Sequence, residues 1–223
     1  MDLPVSLVAV DSPLALLEPS SLAWRVLLSY LLGAVPFGFV LCRLVKGVDL
    51  REVGSGNIGA TNAMRVLGKP LGILAFLLDF GKGCAPVALL GAGDVETQVL
   101  CGAAAVCGHV WPVYLRFKGG KAVATGYGAI VAIDPWIAVG AGLVWLVLLL
   151  ATGFVSVASI AMGLAFPLVA WGRGQPLAVI LGTSALTLLI LVRHRSNMKK
   201  LLAGTESRSR LGAKLRGGGK GAP

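Results

Sequence analysis

The stretch Pro135-Trp136-Ile137-Ala138-Val139-Gly140-Ala141-Gly142-Leu143-Val144-Trp145-Leu146-Val147-Leu148-Leu149-Leu150-Ala151 carries no charged side chain. It approaches the ~20 apolar residues that a helix needs to cross ~30 Å of hydrocarbon. Six more apolar stretches accompany it: Leu22 to Leu41, Leu71 to Leu90, Thr97 to Leu115, Ala122 to Ile133, Phe154 to Trp171 and Leu177 to Val192. The composition agrees. With 56% hydrophobic and 13% charged residues and a mean hydropathy of +0.84, the chain has about half the charge of a soluble domain. An ordinary water-soluble globule is excluded, and an all-α integral membrane protein is expected.

Ala122 to Ile133 is the ambiguous stretch, because its rise as a helix is only about 18 Å and a re-entrant segment would also fit. Charge placement decides. If all seven stretches cross, every basic residue except Arg25, Lys82 and Arg173 falls on one side of the membrane. The positive-inside rule makes that side cytoplasmic. A re-entrant fourth stretch would export the basic residues from Arg193 to Lys220. The expectation is therefore seven transmembrane helices, N-terminus outside and C-terminus cytoplasmic. The net charge of +10 reads as orientation and as attraction to anionic lipid headgroups, so nucleic acid is not an expected partner.

The segment Met1 to Glu18 contains Asp2, Asp11 and Glu18 but no basic residue, so it lacks the positive start of a signal peptide. Cys42, Cys84, Cys101 and Cys107 form no CxxC pair and read as apolar packing residues. No metal and no cofactor are expected. Without a visible repeat, residues 1–203 read as one transmembrane domain. Residues 204–223, rich in Gly, Arg, Lys and Ser, read as a basic tail that is disordered beyond its first few residues.

Three polar clusters interrupt the apolar pattern. The first runs Gly54-Ser55-Gly56-Asn57-Ile58-Gly59-Ala60-Thr61-Asn62, followed by Arg65. It contains G-x-G-x-x-G, but a dinucleotide fingerprint needs a βαβ unit and this segment lies between spans. Its glycines, hydroxyls, amides and arginine are the groups that grip an anion. The second reads Lys118-Gly119-Gly120-Lys121-Ala122-Val123-Ala124-Thr125. It lacks the Ser/Thr and upstream glycine of a Walker A loop, yet it pairs two lysines with glycine amides at a helix start, a phosphate cradle. The third comprises Arg193, His194, Arg195 and Asn197, with Glu206 beyond; on a continuing helix His194 and Asn197 share a face.

Within the apolar segments, Asp79 and Lys82 stand three apart and are expected to pair or to act. His109 reads as structural, hydrogen-bonded to a neighbouring helix. Ser156 and Ser159 share a face at the cytoplasmic start of the sixth span. All three clusters fall on the cytoplasmic side, where they can form one anion-binding site open to lipid. A transporter of organophosphate would place its site at mid-membrane within inverted repeats; these motifs sit in loops.

Over Gly33 to Glu206 these motifs resemble the bacterial acyl-phosphate:glycerol-3-phosphate acyltransferase family of the PlsY type. The resemblance is carried by Val35-Pro36-Phe37-Gly38, Gly54 to Asn62 with Arg65, Leu77-Leu78-Asp79, Lys82-Gly83, Gly108-His109, Lys118 to Thr125, and His194 with Asn197 and Glu206. Ala122 departs from it, since the family more often has glycine there. The resemblance implies transfer of a fatty acyl group from acyl phosphate to the 1-hydroxyl of sn-glycerol 3-phosphate, giving lysophosphatidic acid and phosphate at the bacterial inner membrane. It implies catalytic roles for Ser55, Arg65, Lys121 and His194. Substrate contacts are implied for Gly54, Gly56, Asn57, Thr61, Asn62, Lys118, Gly119, Gly120 and Asn197, and Ser156, by its place at the start of the sixth span, is expected to add a hydroxyl to the same site. His109 and Glu206 are expected to be mainly structural, Asp79 and Lys82 to pair or to act, the protein to be a monomer, and the donor phosphate itself to accept the hydroxyl proton.

Overall fold

Proline and glycine set the helix boundaries in the computed structural model, which describes residues 21–209. Helix α1 (Leu22–Ala34) stops at Val35-Pro36, and α2 (Phe37–Lys46) resumes at once. Proline supplies no amide hydrogen and pushes the residue before it out of the helical region. Gly47, with φ of 70°, ends α2 in a left-handed cap. The remaining helices are α3 (Ala60–Leu67), α4 (Lys69–Leu90), α5 (Val95–Val110), α6 (Val123–Ile133), α7 (Pro135–Thr152), α8 (Val155–Gly172), α9 (Leu177–Arg193) and α10 (Arg195–Leu202). A 3-10 turn, Val113–Leu115, follows α5, and no strand occurs among the described residues.

Five helical segments among these residues are long and apolar enough to cross a membrane, with α1 and α2 counted as one run of 25 residues; they become six if α9 and α10, bent by 51°, make one span. The fourth expected stretch forms the 11-residue α6, which rises only about 16 Å. Acidic caps organise one end of the bundle. Asp94 accepts the Thr97 amide at 2.7 Å at the start of α5. Asp134 accepts the Trp136 amide at 2.7 Å, then Arg173 Nε at 3.0 Å and Gln175 Nε2 at 2.6 Å, which clips α7 to the turn between α8 and α9.

Helix α4 packs against α1, α2, α3, α5 and α6. Its approach to α6 is closest at two glycines: a Cβ on Gly83 would lie 1.9 Å from Thr125 O, and one on Gly128 2.1 Å from Phe80 O. Small residues let apolar helices meet backbone to backbone. Val110, Ile137, Phe166, Val179 and Ile190 fill the main core, while Cys42, Leu50, Ala63 and Ala75 form a smaller one beneath the first polar loop. Leu143, Leu168, Leu181 and Leu188 are exposed, the outward apolar face a bilayer would cover. All four cysteines are free thiols.

Residues 204–209 turn back onto the bundle: the Ser209 amide donates to Gly153 O at 2.8 Å, and the Arg208 guanidinium stands 5.0 Å above the Phe154 ring. The first residues of the tail thus pack on the bundle. The acidic N-terminal residues and the rest of the basic tail lie outside the described residues.

Candidate active site

The first loop is shaped by Asn62. Helix α3 turns this side chain inward, where it is 1% exposed. Its Nδ2 donates to Leu50 O at 3.1 Å and Val53 O at 2.9 Å, and its Oδ1 accepts the Ser55 amide at 2.8 Å. All of its polar groups serve loop backbone, which makes Asn62 a strut of the loop in this structure. Asn57 closes a smaller turn by accepting the Gly59 amide at 3.0 Å. Gly54, Ser55, Gly56, Thr61 and Arg65 remain exposed, with Arg65 in the last turn of α3.

The glycine loop folds back along the end of α5. The Gly120 amide donates to His109 O at 3.0 Å, and a Cβ on Gly120 would stand 2.1 Å from His109 Nε2. A Cβ on Gly119 would lie 2.2 Å from His109 O. The glycines thus provide close approach to α5, and the expected free amide at Gly120 is already engaged. Ala122 has φ of 66° and is fully buried, a left-handed conformation that explains why glycine suits this position. Lys118 is exposed and lines a surface cavity of about 330 Å³ with Arg51, Tyr114, Leu115 and Arg116, whereas Lys121 points to the third cluster.

That cluster forms at the break between α9 and α10, so His194 and Asn197 do not sit on one straight helix. Arg193, at the negative end of α9, donates from Nε to Gly120 O at 3.0 Å and from Nη2 to Gly119 O at 2.9 Å. His194 Nδ1 lies 2.8 Å from Ile190 O. A carbonyl only accepts, so Nδ1 carries a proton, and in the neutral ring Nε2 is the acceptor. Asn197 Oδ1 accepts from Lys121 Nζ. Its Nδ2 donates to Glu206 Oε1 at 2.7 Å, and that oxygen also accepts the Ser156 hydroxyl at 2.8 Å. Burial pushes the Lys121 ammonium down to about 8; Glu206 opposes the shift, while Lys200, Arg193 and Arg65 add to it. Ser159 is set apart, accepting from Trp145 Nε1 at 3.3 Å.

Inside the bundle, Lys82 Nζ lies 2.7 Å from Asp79 Oδ1, with both side chains buried. The two form a buried ion pair. His109 Nδ1 is 3.9 Å from the same oxygen and has no hydrogen-bond partner among the described residues. The expected bond from His109 to a neighbouring helix is replaced by packing against Gly120.

The model of a family described as glycerol-3-phosphate acyltransferase matches residues 23–204. A glycerol-3-phosphate acyltransferase of Aquifex aeolicus (strain VF5) is 46% identical over 186 residues, 82% of this chain and 96% of the relative. The chain belongs to the glycerol-3-phosphate acyltransferase family. Another member, from Rubrobacter xylanophilus, is 45% identical over 197 residues, covering 87% of this chain and 97% of its own.

Two crystal structures of PlsY (YgiH), an integral membrane glycerol 3-phosphate acyltransferase, share this fold. The glycerol 3-phosphate form superposes with a TM-score of 0.81 at 43% identity, covering 84% of this chain and 94% of its own. The lysophosphatidic acid form gives 0.79 at 40% identity, covering 85% and 96%. Against this family fold, the expected convergence divides in two. The second and third clusters and Ser156 meet through hydrogen bonds, whereas no hydrogen bond among the described residues joins the first loop to them. Arg193 is the residue whose task the sequence reading missed; a cation one position before His194 at the end of an apolar helix was its only local signal.

Proposed function

We propose that the protein transfers an acyl group from acyl phosphate to the 1-hydroxyl of sn-glycerol 3-phosphate, releasing lysophosphatidic acid and inorganic phosphate. The observation that carries this reading is the meeting of Lys121 with Asn197, framed by Glu206 and Ser156 and within the field of Arg65. It is a cationic, amide-bearing site suited to a small organophosphate. The solved relatives in glycerol 3-phosphate and lysophosphatidic acid forms support the acceptor and the product.

In this reading the glycerol oxygen attacks the acyl carbon, the bond from that carbon to the phosphate oxygen breaks, and phosphate departs. Among the described residues neither histidine has a carboxylate at hydrogen-bonding distance: His194 Nδ1 serves its own helix and His109 stands 3.9 Å from Asp79. The hydroxyl proton passes to an oxygen of the donor's phosphate. Arg65 and Lys121 stabilise the charge on the two phosphates, Ser55 orients the donor, His194 and Asn197 hold the acceptor, and Lys118 meets the phosphate at the rim. Catalysis then comes from alignment of an already activated anhydride.

The same proposal includes seven crossings, N-terminus outside, with the site facing the cytoplasm at the bacterial inner membrane. The short α6, packed among α4, α5 and α7, supplies the crossing that keeps the basic loops on one side. Purified protein incubated with acyl phosphate and glycerol 3-phosphate is expected to form lysophosphatidic acid; formation from acyl-CoA or acyl carrier protein thioesters alone would overturn the donor. Arg65→Ala and His194→Ala are each expected to lower turnover about a hundredfold, and near-parental kinetics in both would remove the assignment.

A further inference from the structure

Asp79 and Lys82 lie in the interior of α4, and both site loops lead back to them. On one side, Lys82 Nζ donates to Val35 O at 2.7 Å and stands 5.7 Å from the centre of the Phe37 ring. Val35 is the carbonyl at the α1–α2 break, where the helix ladder stops. From that break α2 runs to the first loop and presses on it: a Cβ on Gly38 would lie 2.4 Å from Ile58 O. On the other side, Asp79 Oδ1 faces His109 at 3.9 Å, and His109 holds the glycine loop through its own carbonyl and through ring contact with Gly120.

We propose that the Asp79–Lys82 pair is a positioning device that sets the first loop in register with the glycine loop for acyl transfer. The inference rests on the acyl-transfer reading above. A buried ion pair is a poor source of stability, because apolar residues of similar volume do as well or better once desolvation is counted. Charged groups within a membrane-spanning helix are costly as well. Here the ammonium ties the end of α1, the carboxylate neutralises it, and the same carboxylate oxygen abuts the residue beneath Gly120. One short salt link therefore fixes two elements that are far apart in sequence. Loss of that register leaves Arg65, Lys118 and Lys121 able to bind phosphate but misaligns hydroxyl and acyl carbon, so turnover suffers before affinity.

The test compares parent, Asp79→Leu, Lys82→Met and the double variant, purified in detergent, for thermal stability and for kcat and KM with acyl phosphate and glycerol 3-phosphate. Each single variant leaves one buried charge unpaired and is expected to melt well below the parent. The double variant is expected to regain the parental melting temperature while its kcat stays at least about tenfold low, with KM changed less than about threefold. Recovery of stability and kcat together would show a purely structural pair and overturn the inference. Should the double variant fail to fold, the monodisperse fraction of Asp79→Asn, assayed below its melting temperature, is decisive: a lowered kcat with little change in KM supports the inference, and parental kcat overturns it. An inactive parent would instead count against the acyl-transfer reading.

Discussion

The Lys121 ammonium is half deprotonated near pH 8 because burial disfavours its charge. A lysine whose pKa is lowered is charged below that value and neutral above it, so in the proposed reaction its attraction for phosphate is largely present at neutral pH and fades as pH rises through about 8. The pH profile of kcat/KM is expected to fall on this alkaline side, and Lys121→Arg, charged throughout, is expected to abolish that limb. A parental profile flat into the alkaline range would contradict the placement of Lys121. Asn62 gives a second test. Asp has the same shape but cannot donate to Leu50 O and Val53 O, so Asn62→Asp is expected to destabilise by about 2 kcal/mol or more, read as a lower melting temperature. A raised KM at unchanged melting temperature would return Asn62 to the substrate. In the sequence Asn57 and Asn62 are equivalent amides of one motif; only the inward turn of α3 separates them.

Among the elements, α4 offers a comparison within one helix. Gly83 has Thr125 O where its Cβ would go, whereas Gly81 has nothing within 4 Å. Gly83→Ala is expected to force α4 from α6 and cost about 1–3 kcal/mol as overpacking. Gly81→Ala is expected to stabilise by about 0.5–1 kcal/mol from the lost entropy of glycine in a helix. Thermal unfolding of the two purified variants checks both; equal shifts would mean that α4 and α6 are not in backbone contact. Apolar runs and proline positions make most helices legible in the sequence. The bend at His194 is not, because no proline or glycine marks it. There the turn coincides with Arg193 reaching sideways to the glycine loop, a contact 73 residues away in sequence.

At the scale of the molecule, the segment 204–209 belongs with the bundle. A chain ending after Ser209 keeps Glu206 between Ser156 and Asn197 and is expected to keep activity within about twofold. A chain ending after Ala203 loses the Glu206 bridge between Ser156 and Asn197, and is expected to show KM for glycerol 3-phosphate about tenfold higher. Equal KM in both would show that Glu206 does not set the site. By itself the sequence determined that the chain is a membrane protein, where its apolar segments lie, and which three polar clusters interrupt them. Hydropathy and charge are sums over neighbouring residues, so they can be read along the chain. Tertiary structure alone decided which of those groups are free to act. It engaged Asn62 and the Gly120 amide with backbone, seated Ala122 in a left-handed turn, and brought Lys121 to an asparagine 76 residues away. Hydrogen bonds and ion pairs are short-ranged and directional, so the fate of each polar group depends on which distant element the packing of apolar helices brings against it.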